Sequence, residues 1–261
     1  MRPNAQGVAC RLLILAFVAG KAVATPPPEV WREMNAKLPE EDRKRLADEI
    51  DGRSRRLCEV LRRSGLWEFM TSEECSFAEV SIQEMKEEQQ INLSWAVEAA
   101  ACLLWALNMT AELPSPDEEA DPTLLKLVPL TDLKRFIDDA RLRPQNELEE
   151  ARDLAELWHW RSRTRELWES GTAPAEDEQL HRLGVRSYDD IVRMTSKMAK
   201  EKGLLSAVID EDFPACGKAY RELSAEEWSE VRSISFERHR ALNWLCGFAP
   251  GGDWSRTPTD T

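Results

Sequence analysis

Residues 91–111 read INLSWAVEAAACLLWALNMTA, and the placement of their apolar side chains decides the fold class. On a helical projection these side chains surround the axis rather than forming one stripe. That pattern predicts a central helix packed on every side. Asn92, Ser94, Glu98 and Asn108 interrupt the stretch, so it reads as a core helix and not as a membrane span. Glu98 is its single charge. A carboxyl at the middle of such a helix must be paired, protonated or turned toward a cavity.

A partner for Glu98 is expected near the C-terminus. Residues 223–228 read LSAEEW, a complete helix start. Ser224 is the N-cap, Glu227 closes a capping box, and Leu223 and Trp228 form a hydrophobic staple. Val231, Ile234, Ala241, Leu242 and Leu245 follow at helical spacing, and Gly247 supplies the stop. Arg238 falls on that apolar stripe, between Glu237 and His239. An unpaired buried arginine is costly, so a contact of Glu98 with Arg238 or His239 is expected. Its simplest reading is a structural ion pair between two core helices.

The remaining pattern is helical throughout. Helices are expected over 28–38, from Pro39 onward with Gly52 a break or bend, over 122–128 and 131–140, and from Pro144 to about Ser170. Residues 66–78 read as irregular. A charged helix from about Glu79 is expected to run into the apolar one. Residues 178–212 read as a helical hairpin-like stretch, and 212–220 as a loop. No apolar/polar alternation of convincing length occurs, which argues against a sheet. The expected fold is all-α: a compact multi-helix single domain with a buried central helix, flanked by helices at 145–170 and 224–246. Trp254 should draw residues 253–261 back onto the body.

The first 24 residues differ in character. They contain Arg2, Arg11 and Lys21, no acid, and an apolar run over 12–20, followed by Ala22-Val23-Ala24. This is the form of a secretory signal peptide. It predicts a segment detached from the core and removed on export, leaving a periplasmic or secreted protein; without it the chain would be cytoplasmic. The expected division is 1–24 signal peptide, 25–49 helical extension and 50–261 helical domain, with 172–211 an insertion.

Composition narrows the function classes. The net charge of −13 and 32% charged residues give a soluble, acidic surface. Such a surface disfavours nucleic acid and anionic membranes, and no integral membrane association is expected. Six cysteines include no CxxC pair, which argues against a zinc ribbon or thioredoxin site. No GxSxG, P-loop or GxGxxG is present, and nothing calls for a cofactor.

Several segments together resemble a known family. They are INLSW at 91–95 with Glu98, LLWAL at 103–107, Leu142-Arg143-Pro144, Asp153-Leu154 with His159-Trp160, Asp212-Phe213-Pro214 with Tyr220-Arg221, and residues 237–244 with Trp254. The combination resembles the bacterial family catalogued as domain of unknown function 4272, over roughly residues 50–261. The resemblance implies a helical domain and carries no activity with it. Ser255 stands where the pattern calls for an acid, and 172–211 is longer than the pattern.

The candidate site residues are Glu98, His159, Glu237, Arg238 and His239, with Asp153, Asp253 and Asp260 as further carboxylates. Asp153 and His159 are six apart and do not share a helix face. His159 meets His239 if the two long helices pack. Two histidines and a carboxylate suit a transition metal or general acid–base chemistry, but no HExxH or HxH motif is present, and no metal ligands are assigned. The expected role is a non-enzymatic binding or interaction protein with an unidentified protein or small-molecule partner. The alternative is a hydrolase-like enzyme, or a small-molecule or metal binder, built on the His/Glu/Arg cluster.

Overall fold

The computed structural model describes residues 1–173 and 185–261. The fold is all-α. Ten helices are described: α1 (Ala5–Ala24), α2 (Pro28–Lys37), α3 (Glu40–Arg63), α4 (Ser72–Glu79), α5 (Glu87–Ser94), α6 (Ala96–Ala106), α7 (Leu133–Asp139), α8 (Gln145–Glu169), α9 (Tyr188–Glu201) and α10 (Ala225–Cys246). The strands among the described residues, β1 (Pro214–Ala215) and β2 (Lys218–Ala219), pair antiparallel as one small ribbon.

Every residue of α6 is buried, as its all-round apolar surface requires. Its main neighbours are α10 and α1, while α8 packs along α10. The expected flank at 145–170 is therefore replaced by the N-terminal helix. Residues 8–9 and 11–19 of α1 are buried, with Leu12, Leu13, Ile14 and Phe17 in the main core. The expectation that residues 1–24 stand apart from the fold is corrected by this packing.

The polar groups of α1 explain why it belongs there. Arg11 forms a buried ion pair with Glu74 of α4. Lys21 Nζ donates to the carbonyls of Phe77, Ala78 and Val80 at 2.7–3.0 Å, closing the end of α4. Gln90 Nε2 donates to Ala22 and Thr25 carbonyls at the end of α1. Each of these groups would be unsatisfied in an apolar environment without its partner. By length and composition α1 is also able to cross a membrane.

Other local differences have plain causes. Residues 66–78 are ordered as a 3-10 turn and α4, because Thr71 and Glu74 form a reciprocal capping box. The helix expected from Glu79 is instead α5, beginning at Glu87, and Trp95 separates it from α6. Helix α3 runs unbroken through Gly52. Of the hairpin-like stretch at 178–212, residues 178–184 lie outside the described residues and α9 accounts for much of the rest. Trp254 is 7% exposed, its ring 5.3 Å edge-to-face from Trp244, so the tail folds back as expected.

Candidate functional site

Helices α8 and α10 run antiparallel, with Leu148 opposite Cys246, His159 opposite His239 and Glu166 opposite Arg232. Successive residues of a helix project about 100° apart. Glu237, Arg238 and His239 therefore enter three different environments, and the five candidates do not converge on one site.

Arg238 points toward α6. Its Nε and Nη2 lie 2.8 and 2.7 Å from Glu98 Oε2. The same guanidinium donates to the carbonyls of Pro114, Ser115 and Glu118. Glu98 Oε1 accepts the Ala120 amide at 2.7 Å. The expected Glu98–Arg238 contact thus forms, and it bolts the acidic loop over the core. Both side chains are buried.

His239 points toward α8. Its Nδ1 lies 3.0 Å from His159 Nδ1. Asn243 Nδ2 lies 2.8 Å from His239 Nε2 and 2.9 Å from the Pro258 carbonyl. The carbonyl accepts only, so Asn243 must present its NH2 there, and it donates its second N–H to His239 Nε2. A neutral His239 then carries its proton on Nδ1 and donates it to His159 Nδ1, leaving the His159 proton on Nε2. Burial lowers both histidines to about 4; Arg232 and Arg163 add to the effect at His159, and His159 and Arg152 at His239. Near neutral pH the pair is uncharged, and each ring nitrogen facing the other is occupied.

Glu237 points into a cleft of about 690 Å³ between α8 and α10, closed at its margins by Glu73, Trp95 and the tail residues 259–261. His159, Arg163, Glu166, Arg232, Phe236 and Arg240 line it as well. Glu237 is 8% exposed. Burial pushes its carboxyl up to about 7, against the opposing pull of Arg240 and Arg11; Glu98 and Glu73 push further upward. Its Oε2 lies 2.8 Å from Arg240 Nη2, close enough for an ion pair, yet the two are misaligned for a hydrogen bond and Oε2 accepts none. The charges attract, but the lone pairs stay unsatisfied.

Three further expected positions are settled by their contacts. Asp153 is exposed and pairs with the adjacent Arg152. Asp253 caps the turn at Trp254 through the Ser255 amide. Asp260 lines the cleft. Among the described residues, no group of three or more His, Cys, Asp or Glu side chains is placed to hold a metal ion.

Some key residues escape a sequence reading. Arg11 carries the sequence signal of a leader, yet it pairs with Glu74 and lies 4.4 Å over the Trp254 ring. Arg161 binds Asp212 with two hydrogen bonds of 2.7 Å. Burial alone would raise the Asp212 carboxyl, but the hydrogen bonds and charge of Arg161 hold it below the ordinary value. Of the cleft arginines, Arg163 sits in the basic cluster 161–165, which looks like a solvated helix face, and Arg232 and Arg240 carry no separate sequence signal. Only the Thr71/Glu74 capping spacing offered a local signal for α4.

The chain matches, over residues 2–180, the family described as "Domain of unknown function (DUF4272)". The match begins earlier than the 50–261 span of the sequence resemblance and takes in α1. No curated protein and no solved structure matches the chain.

Proposed function

We propose that this protein, which belongs to the DUF4272 family, is a non-enzymatic binding protein that holds a small polar ligand in the cleft between α8 and α10. The observation that carries the reading is the cleft itself. Its 690 Å³ falls in the range of small-molecule sites, and charged, hydrogen-bonding and aromatic side chains converge on it. The histidines support binding over hydrolysis. They face each other as a neutral pair rather than a nucleophile, so His159 serves as a hydrogen-bond donor through Nε2.

The reading is tested by amide chemical-shift mapping with a library of polar fragments on the full chain. Shifts should cluster at Trp95, His159 and Phe236, and a Ser233→Trp variant that fills the cleft should abolish them while retaining the wild-type melt. Shifts spread elsewhere, or indifferent to Ser233→Trp, would overturn it.

A second reading is an enzyme that uses Glu237 as a general acid–base, favoured by a carboxyl that titrates at about 7. Turnover of an ester, amide or glycoside that is lost in Glu237→Gln would establish it over binding alone. The core position of α1 also supports a working protein that keeps residues 1–24. N-terminal sequencing of the mature protein tests this, and a start at Thr25 would refute it.

A further inference from the structure

We infer that the ligand of the α8–α10 cleft carries an ammonium or guanidinium group that pairs with Glu237. The inference rests on the binding reading above and specifies its ligand chemistry. Glu237 lies in the cleft wall, 8% exposed, and its buried Oε2 accepts no hydrogen bond among the described residues. Buried carboxylates are ordinarily satisfied. Here the nearest cation is Arg240, which is misaligned and lies over the Trp254 ring at 5.0 Å.

The other cations around the cleft have partners. Arg11 is held by Glu74, and Arg163 and Arg232 share Glu166. The remaining carboxylates are in excess: Glu73 from α4 and Asp260 from the tail line the same space. Glu98 adds its charge from α6, behind the wall. Two aromatic rings, Trp95 and Phe236, border the cleft; Phe236 is 36% exposed and stacks edge-on against His159 at 5.6 Å. A carboxylate in a cleft that also presents aromatic rings is an arrangement suited to an organic cation. An anion would face Glu237, Glu73 and Asp260 while Arg163 and Arg232 are already engaged by Glu166, and a neutral polyol would add no charge to the misaligned pair of Glu237 with Arg240.

The pairing also has a proton signature. At pH 7 Glu237 is near its midpoint, and a bound cation favours the ionised form, so binding releases protons. The groups facing Glu237 are Arg240 and Arg232 on its own helix, Arg11 of α1, Glu73 and Glu74 of α4, Glu98 of α6, His159, Arg163 and Glu166 of α8, and Asp260 of the tail. Both histidines are already neutral at that pH, which leaves Glu237 as the proton source.

The experiment titrates the full chain with agmatine and 1,4-diaminobutane as cationic probes, succinate as anion and erythritol as neutral control. Calorimetry is run at pH 7 in two buffers of different ionisation enthalpy, with shift mapping alongside. The cationic probes should bind at Trp95 and Phe236 with net proton release. Glu237→Gln should weaken them by about tenfold or more and abolish the release, and Phe236→Leu should weaken them with the release retained. Agmatine binding unchanged in Glu237→Gln overturns the inference. Succinate or erythritol seated in the cleft while the cations are not overturns it too, but leaves the binding reading standing. Silence of all four probes at the cleft counts against both.

Discussion

Arg238 concentrates more structure than any other side chain on α10, because one guanidinium serves both Glu98 and three loop carbonyls. Arg238→Met leaves Glu98 buried without its counter-charge and should cost about 3–5 kcal/mol. Glu98→Gln together with Arg238→Met should recover only part of this, since the carbonyls of Pro114 and Glu118 stay without the Arg238 donor, while that of Ser115 keeps the Glu118 amide. Denaturant melts of the two single variants and the double test it, and losses under about 0.5 kcal/mol, the size of surface substitutions, would refute it.

Glu237 gives a second, pH-resolved outcome. Its folded pKa of about 7 lies above the ordinary 4.5. The stability it contributes is therefore fully present below pH 4.5 and is lost as pH rises through 7. Glu237→Gln removes that slope: the variant should match wild type near pH 4.5 and exceed it by about 1–3 kcal/mol at pH 8. The histidines run the opposite way. Their contribution is present above 6.5 and lost as pH falls toward 4, and it cancels in the comparison of variant with wild type. Equal stability at pH 8 would show that the carboxyl is not held in a desolvated site.

Helix α1 is fixed by partners distant in the sequence. Lys21 closes α4 through three carbonyls that sit 56–59 residues away. Lys21→Met keeps the length of the stem but removes all three N–H donors; the Ala78 carbonyl keeps Ser54 Oγ, and the loss at Phe77 and Val80 should cost about 2–4 kcal/mol, since an orphaned buried carbonyl costs about 1–3 kcal/mol with partial relief from water. A chain beginning at Thr25 should show no cooperative melt by circular dichroism, because α6 and α4 would lose their common packing face. A cooperative melt near that of the full chain would mean that α1 is dispensable to the fold.

The molecule as a whole divides into unequal cores. The main core joins α1, α6 and the C-terminal part of α10. A second gathers Trp158, Phe213, Tyr220 and Val231, and a satellite holds Trp31, Ala47 and Ile82. Local opening free energy follows buried apolar contact. Amides of α2 and the first half of α3 should exchange with solvent at least about 100-fold faster than those of α6. Uniform protection across these segments in native-state hydrogen exchange would refute this division.

Helices defined by their own neighbours in the chain were legible in the sequence. Ser224 and Glu227 are three residues apart and start α10 as read, and the all-round apolar pattern around Glu98 announced a buried α6. Caps and periodicity act within about four residues, so a linear text carries them. The lone charge of α6 and the arginine of α10 could also be matched, because an unpaired buried charge demands a partner wherever it lies.

The position of α1 and the shape of the cleft were settled by packing. An apolar N-terminal run bears the same composition whether it enters a membrane, leaves with a leader or fills a core. The partners that α1 meets in the fold, Glu74, Gln90 and the end of α4, lie more than 50 residues away. Glu237, Arg238 and His239 look like one cluster in the text, but 100° steps send them to a cleft, an ion pair and a histidine pair. Which helix stands in each direction is a matter of long-range packing energy, and no pattern of adjacent residues encodes it.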